Sequence, residues 1–326
     1  MAWRLDKLKC PKNLLVYWVK PIVQKTKNIL LRELSVNKKD VCKISEKKQD
    51  ILKNQESNKI FIYLWSIIHR TRFATGNLPD IVNSFWATFT NVDWPKTKFN
   101  EEEVLQQIID YIYKNNDKEF IICSLSFGEI IARKLFKKLD ENKKKQIKLY
   151  ISISWVSTMD EINISKKVSF LAKDTTTNNI TISVLKKIYW CLWKIDRWAL
   201  WDKYRYFMSK GSVGFKWKVD YKKIRRHLRC ASIWINPWYV DRARLILKQM
   251  NVEKVPNAGI KTKILFSQDD TIYKDPESNA KKLKTIYSDS ELINLWKAWH
   301  WALVEQPEKY DKVIKWLISD VWKENQ

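Results

Sequence analysis

The segment EFIICSLSFGEIIARKLFKKL, residues 119–139, runs from a buried apolar strand into an amphipathic helix with only a tight turn between them. A turn that sharp needs small residues beside its apex, and Ser124 and Gly128 stand two positions to either side of Ser126. Similar units recur along the chain. KIFIYLW holds a buried run from Ile60 to Leu64, a polar loop follows, and ATFTNVD is a second run ending at Asp93. NEEEVLQQIIDYIYKNN opens with an Asn cap and acids in its first turn, and Val104, Leu105, Ile108, Ile109 and Ile112 recur at helical spacing. IKLYISIS and IKTKILFSQDD read as further buried strands, LINLWKAWH as a strand ending in His300, and PEKYDKVIKWLISDVW as a closing helix. Strands alternating with helices predict an α/β fold: a mostly parallel, doubly wound sheet with helices on both faces.

The alternation breaks twice. Residues 1–55 form a basic N-terminal extension in which NLLVYWVKPIVQKTKNILLREL reads as helix broken at Pro21, and SVNKKDVCKISEKKQD as loop or a short edge strand. Residues 56–158 carry the first part of the sheet. Residues 159–255 look helical and aromatic, with Leu185, Ile188, Tyr189 and Leu192 on one apolar face. The strand pattern then resumes over 256–326, so the helical stretch reads as an insertion into one sheet domain.

Composition narrows the function classes. Five cysteines, Cys10, Cys42, Cys123, Cys191 and Cys230, show no C-x-x-C spacing, which argues against a zinc site or a disulfide framework and fits a reducing cytoplasm. No apolar run is long enough to span a bilayer, and lysines and prolines interrupt the N-terminus before a secretory apolar region forms. The net charge of +25 raises nucleic acid or an anionic membrane surface as partners. The basic residues are nevertheless dispersed in short groups such as ENKKKQIK and YKKIRRHLR, without an RNA-binding signature, so a solvated basic surface is the favoured reading.

Ser126 gains meaning from the rest of the chain. KILFSQDD ends a strand in acids and LINLWKAWH carries His300, so serine, acid and base follow one another in the order Ser, Asp, His at strand ends, the edge of an open parallel sheet where ligands bind. From about residue 58 onward the chain resembles the α/β-hydrolase family: SLSFG resembles its nucleophile turn, TNVDWPKTKFNEEE the turn before the preceding helix, ILFSQDDTIY its acid loop, and HWALVEQPEKYDKVIKWL its base loop and last helix. Ser124 departs from the family, which usually has glycine there. The resemblance implies a catalytic triad of Ser126, Asp270 and His300, with Asp269 as the alternative acid. It implies an oxyanion hole from the Phe127 N–H and a second N–H near Trp65 or Ser66, and a cap formed by residues 159–255. His69 and His227 read as a loop histidine and a solvated one. Neither metal nor organic cofactor is implied. The expected activity is that of a serine hydrolase on a small-molecule ester, thioester or similar acyl compound; the competing expectation is a non-catalytic binding protein of the same fold with a basic surface for an anionic partner.

LWKAWHWALVEQP, residues 295–307, flanks His300 with Trp299 and Trp301. Glycine at its usual ~7% would number about 23 in a chain of this length; this one has 5, and its 18 tryptophans fill the deficit. Trp94, Trp155, Trp238, Trp299 and Trp301 fall in turns, several of them at positions where relatives have glycine, chosen for positive φ or close backbone approach. Many of these tryptophans are therefore expected to mark UGA codons that the source organism reads as glycine. Suspect indoles should then sit at positive φ or protrude into solvent at turns.

Overall fold

The computed structural model describes residues 43–47, 57–64, 75–94, 100–154, 183, 259–270, 273–287, 289–296 and 306–322, all within one compact unit, Val41–Gln326. Apart from Ser183, which is helical, the 159–255 insertion lies outside the described residues, as does the helix expected around Pro21.

Seven strands form one sheet: β1 Lys43–Lys47, β2 Lys59–Leu64, β3 Thr88–Asp93, β4 Glu119–Leu125, β5 Ile147–Ile153, β6 Thr262–Phe266 and β7 Ser290–Asn294, in the spatial order β1-β3-β2-β4-β5-β6-β7. β1 pairs antiparallel with β3. Every other pairing is parallel. β1 lies inside the stretch read as an N-terminal extension, and it realises the edge-strand alternative for SVNKKDVCKISEKKQD.

Period-two alternation along the strands sorts the core into two layers. Ile60, Ile62 and Leu64 of β2, Phe120 and Ile122 of β4, and Ile264 of β6 face one side. There they meet α2 (Glu101–Lys114), α3 (Gly128–Lys138) and α5 (Pro276–Ile286) through residues including Val104, Ile108, Ile131, Leu135 and Leu283. Phe61, Tyr63, Ile121, Cys123, Leu125, Ile151 and Leu265 face the other side, against α1 (Leu78–Ser84) and α6 (Pro307–Ser319) through Leu78, Val82, Ile314 and Leu317. Central β4 is covered on both faces, which is why FIICSL reads as an unbroken apolar run rather than an alternating one.

The helix expected at NEEEVLQQIIDYIYKNN is α2. Asn100 caps it by accepting the Glu103 N–H at 3.4 Å, and four of the five predicted apolar positions are buried, Ile109 being half-buried. Two short helices, α1 and α4 (Glu141–Gln146), occupy segments that look polar in sequence. One boundary needs correction. The last strand does not reach His300 but ends at Asn294, because the Asn294 side chain turns back to accept the Trp296 N–H at 2.7 Å, and Trp296 leaves the extended region at φ +56°.

Ile122, fully buried on the α2–α3 side of the central strand, anchors this packing. Ile122→Ala is expected to cost about 2–5 kcal/mol, read as a lowered midpoint in urea denaturation with the slope unchanged.

Candidate active site

Parallel pairing from β3 through β7 brings the C-terminal ends of β4, β5, β6 and β7 to the same edge. Ser126 follows β4 there as the apex of the turn into α3, at φ +52°, a left-handed conformation that a serine adopts only under constraint. Hydrogen bonds supply that constraint on both sides. The Ser126 N–H donates to the Ile153 carbonyl at 3.0 Å, extending the β4–β5 ladder by one residue, and its own carbonyl accepts the Glu129 N–H at 3.0 Å. Ser126 itself is half-buried, whereas Phe127 is fully buried.

Gly128 shows why the turn needs a small residue two positions on. A β-carbon there would lie 2.1 Å from the Leu64 carbonyl oxygen at the end of β2. Only glycine lets α3 begin this close to the sheet. Phe127 occupies the N-cap position of α3, and the helix opens with the Glu129 N–H on the Ser126 carbonyl and the Ile130 N–H on the Phe127 carbonyl at 3.1 Å, which sets the helix N-terminus beside Ser126.

Two strands away, β6 ends at Phe266 and a turn follows in which the Asp270 N–H donates to the Ser267 carbonyl at 3.2 Å. Asp270 is buried, 1% exposed, while Asp269 is half-buried. The Gln268 N–H reaches the Trp296 carbonyl at 3.0 Å, tying this acid turn to the chain just beyond β7. The structure therefore brings the Ser126 and Asp270 turns to one edge. His300, Trp65, Ser66, His69 and His227 lie outside the described residues. Among the described residues there is no group of three or more His, Cys, Asp or Glu that could hold a metal ion, and no helix long and apolar enough to cross a membrane.

Behind the turn lies a polar cluster that strand and helix periodicity does not reveal. Glu129, fully buried, accepts hydrogen bonds at Oε2 from Ser124 Oγ (3.0 Å), Ser152 Oγ (2.7 Å) and Tyr150 OH, and at Oε1 from Arg133 Nε (3.0 Å) and Tyr287 OH. Burial alone would raise its pKa, but the Arg133 charge and the Tyr150, Tyr287 and Ser152 hydroxyls outweigh it and hold the carboxyl below its ordinary value. Burial and then the Glu129 charge push the Tyr150 and Tyr287 phenols well above the usual range, so both stay protonated as donors. The available sequence signal is a charged pair at i, i+4, Glu129 and Arg133, in a helix whose neighbouring Ile130, Ile131, Ala132, Leu135 and Phe136 are all apolar.

Four non-glycine residues have positive φ among those described: Ser126, Ser154, Trp86 and Trp296. Trp86 is the residue just past the Phe85 cap of α1, at φ +55°, where helices commonly end on a left-handed glycine; its N–H donates to the Asn83 carbonyl at 3.0 Å. The residue is 36% exposed, and Trp296 is 55% exposed. Trp94 behaves differently: it is buried, packs edge-on against Phe127 at 5.7 Å, and has no positive φ. Trp155, Trp238, Trp299 and Trp301 lie outside the described residues.

No protein-family model and no curated protein sequence matches the chain. Solved structures do. MGS-M2, an alpha/beta hydrolase enzyme from a deep-sea metagenome library, superposes with a TM-score of 0.53 at 13% identity over 87% of this chain and 95% of its own. The esterase EaEST from Exiguobacterium antarcticum gives 0.55 at 11% identity, covering 86% and 95%. MenH from S. aureus gives 0.54 at 12% identity, covering 85% and 98%. With the parallel sheet and its flanking helices, these likenesses establish the α/β-hydrolase fold.

Gly128→Ala should be far more damaging than a surface glycine change. The added methyl must displace the Leu64 backbone or α3, so a loss of at least about 1–3 kcal/mol is expected in urea denaturation. Gly76→Ala, at φ +52° but with nothing within 4 Å of the added methyl, should cost about 1 kcal/mol.

Proposed function

We propose that the chain is a serine hydrolase acting on a carboxylic ester, thioester or similar acyl compound, with Ser126 as nucleophile, Asp270 as acid and His300 as base. The observation that carries the reading is Ser126 held at φ +52° between a central parallel strand and a helix whose first turn abuts the sheet through Gly128. That conformation lifts a serine side chain out of the strand line and sets it beside the helix N-terminus. In the mechanism, His300 removes the Ser126 proton as Oγ attacks the acyl carbon, and Asp270 keeps the imidazole in the required tautomer. The Phe127 N–H and a second N–H near Ser66 hold the oxyanion, the alcohol or thiol leaves with the proton from His300, and water then releases the acid from the acyl-enzyme. Burial of Asp270 favours it over half-buried Asp269, since a triad acid works away from water.

An ester is the first substrate class to try, because one of the structural neighbours, EaEST, is an esterase. Ser126→Ala is expected to abolish hydrolysis of short p-nitrophenyl esters. Asp270→Asn is expected to lower kcat by about 10⁴-fold, with Asp269→Asn nearly silent. Strong loss at Asp269 instead would move the acid. A folded chain inert on every acyl substrate would favour the binding-protein alternative.

We also propose that Trp86 and Trp296 stand at glycine positions, as expected if UGA codons of the gene encode glycine. Both have positive φ, where tryptophan is strained and glycine is not, and Trp296 is 55% exposed, so little of its side chain is packed in exchange. Trp94 gives this reading no support, since it is well packed. Trp86→Gly and Trp296→Gly are each expected to raise stability by about 1 kcal/mol by releasing left-handed strain. Trp94→Gly in the same background should lower it by about 3–5 kcal/mol. UGG codons at 86 and 296 in the source gene would overturn the recoding.

A further inference from the structure

Glu129 brackets the nucleophile in two ways at once. Its backbone N–H holds the Ser126 carbonyl at 3.0 Å, and its side chain accepts from Ser124 Oγ, two residues before Ser126, at 3.0 Å. The chain thus leaves β4 at Ser124, turns through Ser126, and is fastened back to its own starting point at Glu129. The same carboxylate is anchored to β5 through Tyr150 and Ser152 and to Tyr287 beyond α5. Arg133 supplies the compensating charge from one helical turn away, and its guanidinium lies 5.8 Å over the Tyr287 ring. A fully buried carboxylate is costly unless its lone pairs are met; here Arg133, Tyr150, Ser152 and Tyr287 donate to its two oxygens, and Ser124 shares its one proton between Glu129 and the Tyr150 hydroxyl 2.6 Å away.

We propose that Glu129 is a positioning residue: with Ser124 it forms a clasp across the turn that holds Ser126 in its left-handed conformation. This inference rests on the reading of Ser126 as nucleophile, and it gives the serine at 124 a role that the glycine usual in the family cannot fill. A glycine there has no side chain to donate; a serine closes the clasp. Ionised Glu129 makes each of these bonds charge-assisted, so the turn is held by stronger bonds than its backbone alone provides. Glu129 does not touch substrate. It acts through the geometry of Ser126.

Two variants test the clasp from opposite sides. Ser124→Gly removes the donor and leaves the Glu129–Arg133 pair intact. Glu129→Gln/Arg133→Met removes both charges together, so that neither is left buried alone. Each full-length variant is compared with the parent, well below its melting temperature, by hydrogen exchange of peptides spanning 119–135 and by kcat and KM on a p-nitrophenyl ester. The expected result is exchange at Glu129 and Ile130 faster by about 10-fold, kcat lower by about 10- to 100-fold, and KM within about twofold, while β6 peptides exchange as in the parent. Folded variants with parental exchange at the turn and parental kcat would overturn the clasp. If the parent is inert on every acyl substrate and takes no fluorophosphonate at Ser126, the hydrolase reading fails separately, and the exchange rates alone still decide whether Glu129 holds the turn.

Discussion

The architecture of the sheet edge depends on a contact that leaves no room for a single methyl group. A β-carbon at Gly128 would stand 2.1 Å from the Leu64 carbonyl oxygen. Because glycine occupies that position, α3 starts almost against the end of β2. Because α3 starts there, the chain between β4 and α3 must reverse within Ser126 and Phe127. The reversal forces Ser126 to φ +52° and sets it beside the helix N-terminus. A backbone steric limit in one place thus becomes the conformation of a serine in another.

Strain of this kind persists only where the surroundings over-determine it. Around Ser126 they do so in layers. The strand ladder continues through the Ser126 N–H to Ile153, α3 begins with the Glu129 N–H on the Ser126 carbonyl, and the Glu129 carboxylate gathers hydroxyls from two neighbouring strands. On the opposite face β4 presents Ile121, Cys123 and Leu125 to an apolar layer that includes Ile314 and Leu317 of α6, and the charged pair on that side, Lys263 with Glu291, lies farther along the sheet on β6 and β7 with Glu291 in water. The two faces of β4 therefore differ in kind: one meets apolar side chains, and the other meets a fully buried charged pair, Glu129 with Arg133.

Much of this is legible in the sequence, and the exceptions have physical causes. The buried strands and α2 announce themselves because each buries a periodic apolar face, a signal that survives without tertiary context. α1 is hidden because its seven residues span only two turns and follow a polar loop. The end of β7 is misplaced by periodicity because apolar residues continue past Asn294, while the strand is stopped by a side-chain hydrogen bond to Trp296 that periodicity does not record. Glu129 and Arg133 look like an ordinary solvated pair until tertiary packing buries them. The left-handed backbone at Trp86 and Trp296 shows only in φ, +55° and +56°, which composition does not locate.

The central claim is that the strained turn after β4 delivers a catalytic serine. Labelling with a fluorophosphonate, followed by peptide mass mapping, tests it whatever the natural substrate is. A catalytic Ser126 predicts one adduct per chain on that residue, lost in Ser126→Ala and strongly slowed in His300→Ala. A folded chain that carries no adduct, or carries it on another residue, would contradict the claim.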